Sequence, residues 1–140
     1  MEEKNEVKQV AIITKEWEIT QDYIFEVVMK HGLISLDMND FTKFASKYKP
    51  LMAIKVDGTG PMSRLMSIAM NVMNLQAKGK VPAMIISMSY NPSCPMIVDE
   101  MGGMDVNLDG LTSKGSDVLW GLREDNDIPY ERSVALYVFA

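Results

Sequence analysis

The sequence predicts a two-layer α/β (α+β) sandwich in which about four strands are packed by two to three helices. Three observations carry this prediction. Apolar runs of strand length recur at residues 50–56, 81–88, 118–123 and 134–139, rich in Val, Ile, Leu and aromatic residues. Between the first two lies a stretch with helical periodicity, where Met62, Leu65, Met66, Ala69, Met70 and Met73 follow the i, i+3, i+4 rule of one buried helix face. Turn signals punctuate the remainder: Asp57-Gly-Thr-Gly-Pro61, Lys78-Gly-Lys-Val-Pro82 and Asn91-Pro-Ser-Cys-Pro95. With 140 residues, 47% hydrophobic and 24% charged, the chain suits one compact domain with an ordinary core.

Residues 6–19 read as extended, with Val7, Val10, Ile12, Ile13, Trp17 and Ile19 supplying β-branched or aromatic bulk. A helix is expected from Thr20, with Thr20 as N-cap and Asp22 in the first turn, where an acid complements the positive helix end. Tyr23, Phe25, Val27 and Val28 are weak helix formers, so this helix depends on tertiary support. His31-Gly32 closes it, glycine accepting the left-handed conformation of a helix C-terminus. A second helix runs from Ser35 or Asp37 through Lys47, with acids at its start and Lys43, Lys47 and Lys49 towards its end, and Pro50 stops it. The thirteen methionines suit irregular core gaps, and secondarily an adaptable partner groove. The last two strands are joined by Glu124-Asp-Asn-Asp-Ile-Pro129, which reads as a solvated hairpin tip. Trp17, Trp120 and Tyr137 read as core or edge packing.

Composition excludes several classes of function. A net charge of −5 with scattered basic residues argues against a nucleic-acid partner, because phosphate binding needs clustered Lys and Arg. No apolar run approaches the roughly 18 residues that span a bilayer, and the charged start Met-Glu-Glu-Lys-Asn-Glu has no signal core, so the expected location is cytoplasmic, away from membranes. Cys94 is the single cysteine and forms no internal disulfide. His31 has neither a second His nor a Cys near it in sequence, and Asp105-Val-Asn-Leu-Asp-Gly110 lacks the closing glutamate of a calcium loop, so no metal and no cofactor are expected.

The most informative motif is Gly32-Leu-Ile-Ser-Leu-Asp-Met-Asn-Asp40, which sets Asp37 and Asp40 on one side of a helical turn. By residue chemistry alone, such acids cap a helix and complement its dipole. The stretch also resembles the loop that opens the C-terminal half of the FtsZ and tubulin family, with its Gly-(Leu/Val)-Ile-Asn-x-Asp-x-x-Asp pattern. Asp37 and Asp40 match the two acids, and Ser35 stands where the family has Asn. The order of elements that follows is similar too, and Ser116-Asp-Val-Leu-Trp-Gly-Leu-Arg-Glu-Asp and Ser133-Val-Ala-Leu-Tyr-Val-Phe-Ala140 resemble the last two strands of that half. The resemblance covers residues 20–140 and implies a mixed sheet. Residues 1–19 are then an N-terminal extension, read as an added edge strand.

Nothing matches the family's Gly-Gly-Gly-Thr-Gly-Thr-Gly phosphate loop, so the chain is not expected to bind or hydrolyse GTP alone. In the family, the acids reach the nucleotide pocket of the neighbouring subunit and orient an attacking water, a role of positioning and electrostatics. The resemblance therefore implies a protein-interaction domain. Gly32, Leu33, Ser35, Asp37 and Asp40 would dock on an FtsZ/tubulin-like protein or on a second copy, modulating or capping a filament, and Asp37 and Asp40 are the candidates for activating GTP hydrolysis in trans. Ser35 loses the amide's paired donor and acceptor, so docking is expected to survive better than activation. The rival reading is a small-molecule-binding or enzymatic α/β domain of chorismate-mutase-like architecture, trimeric, which would require Arg64, Arg123 and Arg132 to converge in space.

Overall fold

Alternation of apolar side chains on both faces of the central strands decides the architecture. The computed structural model describes residues 7–29, 38–59, 61–77, 81–94, 117–128 and 130–140. In order these form β1 (Val7–Ile13), α1 (Glu16–Tyr23), a π-helical segment (Ile24–Val28), α2 (Met38–Lys47), β2 (Pro50–Gly58), α3 (Met62–Ala77), β3 (Ala83–Tyr90), β4 (Asp117–Glu124) and β5 (Arg132–Phe139). The strands make one five-stranded sheet in the order β1-β2-β5-β3-β4. It is mixed, as expected: β3 and β4 are parallel, and every other neighbouring pair is antiparallel.

Along β2, Met52, Ile54 and Val56 join one core cluster while Ala53 joins another, and β3 and β5 divide in the same way. Helix α3 covers the first face with Met62, Leu65, Met66, Ala69, Met70 and Met73, the six residues its periodicity assigns to the core. Helices α1 and α2 cover the second face through Ile19, Tyr23, Val27, Phe41 and Phe44 against Ala83, Ile85, Tyr137 and Phe139. Aromatic edges lock that side: Tyr23 lies 4.7 Å from Phe41 and 5.2 Å from Tyr137, and Phe44 lies 5.4 Å from Phe139, all centroid to centroid. Helices thus flank both faces of the sheet, where two layers were expected. The reason is that β3 is buried at all eight positions and β5 nearly so, and a strand apolar on both faces needs cover on both.

Several local expectations change. The edge strand β1 forms, antiparallel to β2, but it ends at Ile13 and α1 already starts at Glu16. Lys15, with extended φ −80 and ψ 127, occupies the N-cap position. Thr20 is therefore not a cap. It lies one turn into the helix and its hydroxyl donates back to the Glu16 carbonyl at 3.1 Å. The poor helix formers that follow find a different compromise: the Met29 N–H reaches the Ile24 carbonyl at 3.0 Å, an i→i+5 bond that widens the helix to a π turn. Trp17 is 65% exposed on α1, outside the core expected for it, whereas Tyr137 is fully buried and Trp120 packs partly buried beside α3's cluster.

The acidic connection from β4 to β5 is not a hairpin tip, because β5 inserts between β2 and β3. The chain instead crosses the end of β3, held by Asp125 N–H to the Tyr90 carbonyl at 2.9 Å, Asn91 N–H to the Glu131 carbonyl at 3.0 Å and Asn91 Nδ2 to the Ile128 carbonyl at 3.2 Å. The turn chemistry is as read, with the Asp127 N–H donating to Asp125 Oδ1 at 2.9 Å. The more apolar strand takes the centre, and β4, with Asp117 and Glu124 exposed at its ends, takes the edge.

Candidate functional site

The face under α1 changes character along the strands. Around Phe139, Ala83 and Phe44 it is apolar. Two rows further along it becomes polar, since Lys55 aligns through Ala135 with Ser87, and Asp57 aligns through Ser133 with Ser89 and Arg123. Over this half lies the C-terminal part of α1 with the π segment, which sets Asp22 and Glu26 one turn apart above the sheet.

The resulting network is dense. Asp22 accepts from Lys55 Nζ at 3.0 Å and, through its other oxygen, from the Tyr137 hydroxyl at 2.8 Å. Glu26 lies 3.7 Å from Lys55 and 3.5 Å from Arg123 Nη2. Arg123 also donates from Nη1 to the Ser87 hydroxyl at 3.1 Å, and its Nε lies 3.6 Å from Asp125 Oδ2, beyond hydrogen-bond range. Arg123 and Asp125 are almost wholly buried, so their charges depend on these partners. Burial first, then the Asp22 carboxylate that accepts its proton, raise the Tyr137 phenol well above its ordinary value, with Arg123 opposing. Chemically this is a brace. It ties the helix that runs into residue 30 to β2, β3, β4 and β5, and Tyr23 against Phe41 ties that helix to α2.

The acidic segment joins these two braced helices. Gly32, Leu33, Ser35 and Asp37 lie outside the described residues, as do His31 and the run from Asp105 to Gly110. Asp40 is half-buried in the first turn of α2, the end at which a carboxylate complements the helix dipole. Cys94 is a half-buried loop thiol with its Sγ 3.4 Å from Glu131 Oε1. Among the described residues no three His, Cys, Asp or Glu side chains converge as metal ligands.

The three arginines do not converge. Arg123 points to the α1 face, and Arg132, aligned with Tyr90 of α3's cluster, bonds the Cys94 and Glu131 carbonyls, while Arg64 is exposed on α3. A cleft of about 220 Å³ lined by Lys43, Phe44, Lys47, Asp117, Val118 and Leu119 lies at the far end of α2. This is below the roughly 300 Å³ at which small-molecule sites begin. The sequence reading missed the brace. Asp22 read as a dipole acid and Arg123 as an isolated cation, and only the strand register brings Lys55, Ser87 and Arg123 under one helix turn. A strand arginine flanked by apolar residues at Gly121-Leu122 was the available signal.

No helix of the described residues is long and apolar enough to cross a membrane. No family model matches the chain, and no curated protein does. Solved structures do. An empty FtsZ dimer from M. jannaschii superposes with a TM-score of 0.62 at 16% identity, over 88% of this chain and 37% of the FtsZ chain. A tryptophan-to-tyrosine FtsZ mutant from the same organism gives 0.59 at 16% identity, over 88% and 38%. The chain thus spans well under half the length of the FtsZ proteins it matches, and its fold is that of an FtsZ C-terminal domain.

Proposed function

We propose that this domain is a protein-interaction module that docks through residues 32–40 on an FtsZ/tubulin-like filament protein or on a second copy of itself, and thereby modulates or caps a filament. The observation that carries the reading is the coincidence of an FtsZ-like fold with the Asp37 and Asp40 spacing at the junction of α1 and α2. One of the matched FtsZ structures is a dimer, which makes copy-to-copy contact through this fold a reasonable mode for the chain. Leu33 supplies apolar contact, Gly32 and Ser35 permit close approach, and Asp37 and Asp40 supply the charges that face a partner's cation or bound phosphate water. The brace under α1 supports this reading because a docking segment works best between rigid ends. A domain that presents this face without a nucleotide pocket of its own would occupy a filament end and stop growth there.

The test uses purified FtsZ-type protein from the source organism, titrated with the wild type and with the Asp37→Ala, Asp40→Ala double variant. We expect at least a tenfold weaker affinity for the variant, with its unfolding midpoint moved by no more than the loss of a helix-end charge, about 0.5 kcal/mol. Equal affinity of the two proteins, both folded, rules the acidic segment out as the contact.

A further inference from the structure

The two edges of the sheet are built differently. Edge strand β4 carries Asp117 and Glu124 exposed at its ends and the buried Arg123 near one of them, the charge pattern that blocks strand addition. Edge strand β1 has no such protection. From Gln9 to Thr14 its sequence is uncharged and free of proline, and Val10 and Ile12 are 44% and 41% exposed. One side of β1 is paired with β2, and no described strand pairs with the other. The unpaired backbone groups on that side specify their partner's chemistry, since a row of alternating N–H and C=O groups is matched by another extended strand.

We infer that β1 is a homodimerisation edge, pairing antiparallel with β1 of a second copy about a two-fold axis through Val10, so that two five-stranded sheets become one. The strand itself selects this occupant. Val10 is the midpoint of Val7–Ile13, so a two-fold axis there pairs all seven residues, whereas any other centre leaves residues unmatched. In that register Val10 faces Val10, Gln9 faces Ala11, and Lys8, the one charged residue of the strand, falls opposite Ile12. No like charges meet, despite the net charge of −5 on each chain. Val10 and Ile12 align with Val56 and Ile54 on the face that α3 covers, so pairing would continue the apolar surface of that face from one copy into the next. The contact is isologous, which closes the assembly at two. It is independent of the acidic segment and needs no filament protein.

Sedimentation equilibrium of the full chain over a range of concentrations, with two charge variants at the axis, tests this. Wild type is expected at twice the 15.7 kDa chain mass. Val10→Lys and Val10→Glu, each placing like charges opposite one another, are each expected at the single-chain mass with an unfolding midpoint near wild type, since the site is 44% exposed. Their equimolar mixture is expected to return to the dimer mass, because Lys then faces Glu. Wild type at the single-chain mass throughout overturns the inference, as does a Val10→Lys variant that stays dimeric, or a mixture that fails to pair while wild type does.

Discussion

Tyr137→Phe isolates one bond of the brace and reads it in two ways. The ring is fully buried and sits edge-on to Tyr23 at 5.2 Å, so phenylalanine keeps the packing and leaves no cavity. What is lost is the hydroxyl's donation to Asp22 at 2.8 Å. A hydrogen bond to a charged acceptor contributes about 1.5–3 kcal/mol, and because Asp22 keeps Lys55 at 3.0 Å it is not orphaned, so the loss falls at the low end, about 2 kcal/mol at neutral pH. The second reading is its pH dependence. The native phenol titrates well above the ordinary value of 10.0, held there by burial and by Asp22. Above the ordinary value the unfolded chain releases this proton while the native chain keeps it. Wild-type stability from this group is therefore complete below about pH 10 and falls by about 1.4 kcal/mol per pH unit above it, until the native phenol itself ionises. The variant has no such group. Its deficit of about 2 kcal/mol is expected to vanish near pH 11.5. Urea unfolding of both proteins followed by far-UV circular dichroism, at steps from neutral pH upward, gives the difference directly. A deficit that stays constant with pH, or one below about 0.5 kcal/mol at neutral pH, refutes the placement of that bond.

Two further substitutions test the layers. Met66→Ala empties a fully buried position between α3 and the sheet and is expected to cost about 2–5 kcal/mol, seen as a lower urea midpoint with an unchanged slope. Trp17→Ser, at a 65% exposed site, is expected to change stability by no more than about 0.5 kcal/mol while removing the solvent-exposed part of the tryptophan fluorescence; a larger loss would mean that Trp17 is covered in solution.

The sequence carried the strands and helix α3 well because their signals are local. Periodic methionines mark a buried helix face whatever lies beneath it, and Pro50 ends a helix wherever it occurs. It failed at Thr20, where a good capping residue was outbid by an earlier start at Glu16 that brings Ile19 and Tyr23 onto the sheet. The failure at 124–129 had a different cause. Turn residues were read correctly, but nothing local tells whether the next strand returns beside its predecessor or crosses over it.

By itself, then, the sequence determined an α/β sandwich of FtsZ C-terminal type and singled out Asp37 and Asp40 as its candidate contact, because periodicity, turn chemistry and motif spacing are properties of short windows. Only the tertiary structure decided that helices flank both faces, that β5 occupies the centre, and that Asp22, Glu26, Lys55, Ser87, Arg123, Asp125 and Tyr137 form one brace. Those residues are spread from position 22 to position 137, and their charges could be buried only where strand register brought opposite signs within reach of one another.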